Sequence, residues 1–354
     1  MEESLGGKVN INGRKIGGEN NPYIVAEMSG NHKGNIENAL KIISKAKECG
    51  ADAIKIQTYT ADTITINHNS PEFFVKDGIW KGKKLYNLYQ EAHTPWEWHS
   101  KLFKHAQKIG ITIFSSPFDL TSVDFLEELN CPVYKIASPE LIDIPLIKKV
   151  AKTGKPMILS TGLATFKEIN EAINTAREEG ATKLIVLHCT SSYPAPPEEA
   201  NLRAIKEISK SFKVISGLSD HTKGITIPLL SVMMGAKLIE KHFMLNDGEG
   251  GVDSQFSITP EELTTLVETT KLANLSKGDG RLKVADCEKN SIQSRKSLYV
   301  IDNVKEGEIF TPLNVKSIRP GLGIKPSHYE SILGKKASRD IKFGEPLRHS
   351  MIQN

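Results

Sequence analysis

Eight short, almost wholly apolar runs divide the chain at intervals that leave room for a helix between each pair: Tyr23–Ala26, Ala53–Ile56, Ile111–Phe114, Val133–Ala137, Met157–Leu159, Leu184–Leu187, Val214–Ser216 and Leu238–Ile239. A strand buried on both faces reads as a continuous apolar run, and such strands belong to parallel sheets covered by helices. The intervening segments carry helix signals. Ile36–Glu48 and Pro95–Ile109 are amphipathic. The second is expected to open with Thr94 as N-cap, Pro95 at the first helical position and Glu97 two residues on. Gly50, Gly110, Gly154 and Gly180 fall where left-handed caps end helices. Eight such units without a Gly-x-Gly-x-x-Gly fingerprint predict an α/β fold, a closed (β/α)8 TIM barrel, in preference to a long doubly wound sheet.

In a barrel of this kind the chemistry sits at the C-terminal strand ends. Here every strand exits into a polar group: Glu27; Lys55 and Gln57; Ser115 and Ser116; Lys135 and Ser138; Ser160 and Thr161; Thr190 and Ser191; Ser219, Asp220 and His221; Glu240 and His242. A lone serine at a loop boundary is ordinary. Two lysines within or beside apolar strands are not, because a buried ammonium needs an anionic partner. The economical expectation is a small polyanion held by Lys55, Lys135, hydroxyls and backbone amides. His221 and His242 leave neighbouring strands, which lie about 5 Å apart. They read either as a hydrogen-bonded pair at a polar rim or as two neutral imidazoles holding one divalent ion.

Composition narrows the partners. A formal charge of +4 over 354 residues, with no Lys/Arg block, leaves no nucleic-acid footprint. The four cysteines are scattered without a Cys-x-x-Cys pair, as reduced thiols in the cytoplasm would be. The polar start lacks the apolar core of a signal peptide, and no apolar run reaches membrane-span length. A cytoplasmic protein is the expectation.

Length predicts roughly two domains. A barrel is expected over residues 1–275, ending in the helix Pro260–Leu275. A charged linker covers 276–295, and a small β-rich domain covers 296–354. Within that domain Asn303-Val-Lys-Glu-Gly-Glu-Ile-Phe is echoed by Asp340-Ile-Lys-Phe-Gly-Glu-Pro-Leu. Fewer than about 70 residues make a marginal core, so this module is expected to dock on its own barrel or on a neighbouring chain. The excursion Thr58–His93, with Phe73, Phe74, Trp80, Tyr86 and Tyr89, reads as a surface cover or as a wall on the substrate side.

The motifs Ala26-Glu-Met-Ser-Gly-Asn-His, Lys55-Ile-Gln-Thr-Tyr, Phe114-Ser-Ser-Pro-Phe-Asp, Tyr134-Lys-Ile-Ala-Ser, Leu159-Ser-Thr-Gly, Gly217-Leu-Ser-Asp-His-Thr and Glu240-Lys-His-Phe resemble those of the sialic acid synthases, in the family's order. Ser317-Ile-Arg-Pro-Gly resembles the family's antifreeze-like SAF (β-clip) domain. The likeness covers nearly the whole chain beyond the first dozen residues. Tyr59-Thr-Ala-Asp-Thr-Ile, Gly78-Ile-Trp-Lys-Gly and Gly250-Gly-Val-Asp-Ser-Gln-Phe-Ser look most like the pseudaminic branch. Ser191, where the sialic branch has asparagine, suits that branch; Val252 departs from an expected proline.

The resemblance implies condensation of phosphoenolpyruvate with an open-chain amino-sugar aldehyde, with phosphate released by C–O cleavage. It implies Mn²⁺ or Mg²⁺ on His221 and His242. It further implies phosphate and carboxylate binding by Lys55, Lys135, Ser116, Ser138, Ser160 and Ser219. Glu27 would act on the developing cation or on the water that quenches it. Asp253 would contact the sugar or move a proton, Ser191 would also contact substrate, and Tyr193 would wall the pocket. Arg319 would reach the site of the partner chain in a domain-swapped homodimer. Competing readings are a synthase of the N-acetylneuraminate or legionaminate type, a non-catalytic carbohydrate-binding protein, and an aldolase working through a lysine Schiff base.

Overall fold

The computed structural model describes residues 7–245 and 251–353. They fall into two compact units that divide between Gly278 and Asp279.

The chain begins with a hairpin, β1 (Val9–Ile11) and β2 (Arg14–Ile16), turning through Asn12 and Gly13, both at positive φ. An Asn-Gly turn of this kind matches the twist of the strands it joins. Val9, Ile11 and Ile16 are buried in one cluster with Tyr23, Val25 and Phe114. Arg14 pairs with Asp52 at 3.1 Å, just before a barrel strand, so the hairpin covers the N-terminal end of the barrel.

Eight parallel strands follow: β3 (Tyr23–Glu27), β4 (Ala53–Thr58), β5 (Thr112–Pro117), β6 (Tyr134–Ile136), β7 (Met157–Ser160), β8 (Leu184–Cys189), β9 (Ile215–Asp220) and β10 (Leu238–His242). They pair in sequence order, and β10 closes on β3. The expected TIM barrel is therefore present. Most strands run further than their apolar cores, because the polar exit residues remain in the hydrogen-bonded ladder. Register carries the chemistry: His242 is opposite Glu27, and Glu27 is opposite Lys55. Side chains two apart share a face, so Glu240 and His242 point into the lumen while Ile239 and Lys241 point to the helix layer.

Helices Ile36–Glu48 and Pro260–Leu275 lie as expected. Helix Trp96–Ile109 starts one residue late, with Pro95 at its cap position. Thr94 does not cap it; its hydroxyl is buried without a hydrogen-bond partner. In the same helix His99 joins a buried chain: its Nε2 meets Thr58 Oγ1 at 2.9 Å, and Thr58 Oγ1 meets Ser115 Oγ at 2.6 Å. Ser115 thus serves the barrel wall rather than the lumen.

Burial depresses His32 and His99 from about 6.5 to about 4. Both rings stay neutral when folded and gain protons on unfolding at mildly acid pH. Their contribution to stability is full above pH 6.5 and declines from there to about pH 4, by about 1.4 kcal/mol per pH unit for each ring. The urea midpoint should accordingly fall between pH 7.5 and pH 5. An unchanged midpoint would contradict the neutral assignment.

In the second unit β11 (Ser297–Val300) pairs antiparallel with β12 (Val315–Ile318). The two echoed segments pair with each other: Val304 and Ile341 exchange both backbone hydrogen bonds. Leu298, Val304, Phe310, Val315, Ile341 and Leu347 form a core belonging to this unit alone. That corrects the expectation of a module with little interior; the echo builds one by placing like residues face to face. Within the charged segment before it, Asp286–Ser294 is 3-10 helix, and the Gln293 carbonyl accepts from Gly321.

Candidate active site

The C-terminal strand ends surround a cavity of about 430 Å³. Lys55, Lys135, Ser138, Ser160, Tyr193, Ser219, His221, His242 and Asp253 all line it. At its floor four ionisable groups are almost fully buried. Lys55 Nζ lies 2.8 Å from Glu27 Oε2 and 3.7 Å from Glu240 Oε1, and Lys135 Nζ lies 3.4 Å from the same Glu240 oxygen. The two lysines therefore already have protein carboxylates, which corrects the expectation that a bound polyanion alone accounts for their burial. Ser219 donates to Glu240 at 3.1 Å, Lys55 to Ser116 at 3.3 Å, and Gln57 to Glu27 at 3.2 Å.

The two carboxylates titrate apart. Burial raises Glu27 to about 7, against the pull of Lys55. Burial also opposes ionisation of Glu240, yet Lys135 and Lys55 together hold it below the usual carboxylate range. One group is thus a fixed anion and the other exchanges a proton near neutrality, an arrangement typical of acid–base sites. Glu27 and Ser116 lie behind Lys55 and do not line the cavity.

Several buried polar atoms have no hydrogen-bond partner: Ser160 Oγ, Glu140 Oε2, Glu240 Oε2 and His242 Nδ1. All four residues line this cavity. A buried polar group without a protein partner calls for water, an ion or a ligand to complete it. Gly162 makes room here, since a Cβ at this position would come within 2.1 Å of Ser191 Oγ and 2.8 Å of Ser138 Oγ.

The His221 and His242 rings are 5.3 Å apart between centroids. His221 Nδ1 is 3.1 Å from the Thr190 carbonyl, so in the neutral ring Nδ1 carries the hydrogen and Nε2 keeps its lone pair. Burial, His221 and the nearby lysines keep His242 well below its ordinary range and hence neutral. His221 moves the other way: burial would lower it, but Cys189 beside it raises it. Asp253 Oδ2 is 4.0 Å from His242 Nδ1. Among the described residues no three acidic, histidine or cysteine groups converge as a ligand set. The donor set therefore fits an ion held by two imidazoles and otherwise by water or substrate, and does not fit a closed structural zinc site.

The excursion after β4 is a wall. Tyr59, Ile64, Val75, Trp80, Leu85, Leu88, Tyr89 and Ala92 line the cavity, while Phe73, Phe74 and Tyr86 do not. Trp80 Nε1 donates to the Val252 carbonyl at 3.0 Å, and its ring lies 5.5 Å from Tyr193, itself 4.5 Å from His221. Gly250, at the head of the glycine-rich motif, lies outside the described residues. Asp220 turns away from the lumen. Ser191 is half-buried, 3.7 Å from Cys189 Sγ. Arg319 is exposed just beyond β12 in the second unit. Sequence reasoning did not assign roles to Glu240 and Glu140. The first stands one strand period before His242, a usable signal; the second has none.

Residues 42–282 match the NeuB family and residues 295–353 the SAF domain. The chain is 45% identical over 331 residues to the pseudaminic acid synthase of Campylobacter jejuni, covering 93% of this chain and 96% of that protein. It is 43% identical over 328 residues to the pseudaminic acid synthase of Helicobacter pylori, covering 92% and 96% respectively. A crystal structure of an N-acetylneuraminic acid synthetase from Leptospira borgpetersenii, in complex with citrate, superposes with a TM-score of 0.74. The sequences are 33% identical, over 83% of this chain and 98% of that one.

Proposed function

The chain belongs to the NeuB family, and from that premise we propose that it joins phosphoenolpyruvate to open-chain 2,4-diacetamido-2,4,6-trideoxy-L-altrose, the reaction of a pseudaminic acid synthase. The observation that carries the reading is the buried Glu27–Lys55–Glu240–Lys135 quartet beside the histidine pair, under a cavity lined by Ser160, Glu140, Glu240 and His242, each with an unpartnered polar atom.

Lys55 and Lys135, with the hydroxyls of Ser138, Ser160 and Ser219, bind the phosphate and carboxylate of phosphoenolpyruvate. His221 and His242 would hold a divalent ion, Mn²⁺ or Mg²⁺, whose chemistry when bound is to polarise the sugar's aldehyde oxygen. The methylene carbon of phosphoenolpyruvate attacks the aldehyde carbon and leaves a cation at the former enol carbon. Glu27, titrating near neutrality and set behind Lys55, acts on that charge through the floor of the site, and the proton lost by the water that adds there balances the one gained by the former aldehyde oxygen. The C–O bond to phosphate then breaks as the added hydroxyl becomes the keto oxygen and its proton leaves with the phosphate. Tyr193 and Trp80 exclude bulk water. The part of the wall drawn from residues 58–93 has no charged or amide side chain facing the cavity, which suits the methyl group of a 6-deoxy sugar better than a hydroxymethyl.

Phosphate release and nonulosonic acid formation, measured with phosphoenolpyruvate and each candidate sugar, test the proposal. The L-altro trideoxy sugar should exceed its manno isomer and N-acetylmannosamine in kcat/KM by at least about tenfold. Preference for either of the others would move the chain to the legionaminate or N-acetylneuraminate type.

We also propose that the chain works as a domain-swapped homodimer in the cytoplasm, with Arg319 completing the partner's site. Mixing Arg319→Ala with His221→Ala chains should then restore activity, because one of the two sites in the heterodimer has all its parts. No restoration after confirmed subunit exchange would mean that each tail serves its own barrel.

A further inference from the structure

Behind the two histidines, on the face of the barrel turned to the helix layer, one ion pair is wholly buried. Lys241 Nζ lies 2.6 Å from Asp220 Oδ2, with the two side chains 0% and 3% exposed. The surroundings are apolar: Leu218 and Ile239, two residues earlier on the same strands and facing the same way, belong to the outer hydrophobic cluster. An ion pair there contributes little stability that a well-packed hydrocarbon pair would not, so its presence asks for another reason.

The bonding pattern supplies one. Lys241 directly precedes His242, and its ammonium donates to the carboxylate of Asp220 and to the backbone carbonyl of Thr222. Those are the residues immediately before and after His221. The Asp220 carboxylate in turn accepts from Thr222 Oγ1 at 3.1 and 2.9 Å. The backbone that carries His221 is thus held on both sides by the residue next to His242. A methyl-ended side chain can fill the same volume but cannot bind a carbonyl.

We propose that Lys241 and Asp220 are a positioning pair, a clasp on the outer face that fixes the separation and aim of the His221 and His242 rings for a divalent ion. The clasp rests on the metal reading given above. It leaves the phosphoenolpyruvate groups on the lumen side alone, and so acts selectively.

The test uses the full-length chain, with Mn²⁺ as the probe and free ion counted by its electron paramagnetic resonance signal. The double variant Asp220→Leu/Lys241→Met should stay folded, with a Tm near that of the wild type. It should bind phosphoenolpyruvate in chelator as the wild type does and bind Mn²⁺ about 10- to 100-fold more weakly, the usual effect of losing groups that orient metal ligands. Lys241→Arg is the second variant. It keeps the charge but cannot place one nitrogen on both acceptors, so it should also lose at least about tenfold in Mn²⁺ affinity. Wild-type Mn²⁺ affinity in either folded variant overturns the clasp. A His221→Ala chain separates the two readings. If it binds Mn²⁺ as the wild type does, or if the wild type binds none, the metal reading itself fails and takes the clasp with it.

Discussion

Alanine at His221 or at His242 should lower divalent-ion-dependent turnover by at least about a hundredfold, since each change removes one of only two protein ligands. Loss of either ring removes affinity for the ion and the orientation of the aldehyde together. The fold should survive. His221 packs on Tyr193 and His242 on Phe256, at the rim of a cavity rather than in the main core. Circular dichroism and thermal melting check that point, and turnover is measured across a Mn²⁺ titration and in chelator. Full activity of either variant in chelator would sink the metal assignment.

Glutamine at Glu27 should lower kcat by about 10²–10⁴-fold, while the KM for phosphoenolpyruvate changes by less than about tenfold. Shape is retained, and Lys55 keeps a carboxylate neighbour in Glu240 at 3.7 Å, so the binding surface should persist. What disappears is the charge that opposes the cation from behind Lys55. Because Glu27 is held near 7 and acts ionised, wild-type kcat should rise as pH rises through that value. The Gln variant should lack that limb. A tenfold loss of affinity with kcat unchanged would make Glu27 a binding residue.

Much of the barrel is legible because strands buried on both faces must be apolar, and few other structures require eight such runs. The polar exits are legible for the same reason, as interruptions of that requirement. The partners of Lys55 and Lys135 are not. That Glu240 reaches both depends on β10 closing against β3 with His242 opposite Glu27, a register set by the whole barrel. The β1–β2 hairpin carried a readable Asn12-Gly13 turn between apolar residues, but its polar flanks hid the strands. In the small domain the echo was visible, whereas the pairing of Val304 with Ile341 is a tertiary fact that no local propensity encodes. Thr94 shows the limit of cap rules, since a good N-cap residue before proline was overridden by the geometry of the turn.

Barrel closure also sets a timetable. β3 leaves the ribosome first among the barrel strands, and its neighbour β10 follows some two hundred residues later, the Phe243 amide finally donating to the Glu27 carbonyl. At about 5–20 residues per second, the edge of β3 waits roughly 10–40 s for its partner. Throughout that interval the β10-facing edge of Tyr23–Ala26 is an unpaired, apolar template open to any passing strand. A nascent chain stalled before residue 238 would therefore engage holdases rather than substrate. Glu27 and His242 meet only at the last act of closure, so no partly synthesised chain carries half an enzyme.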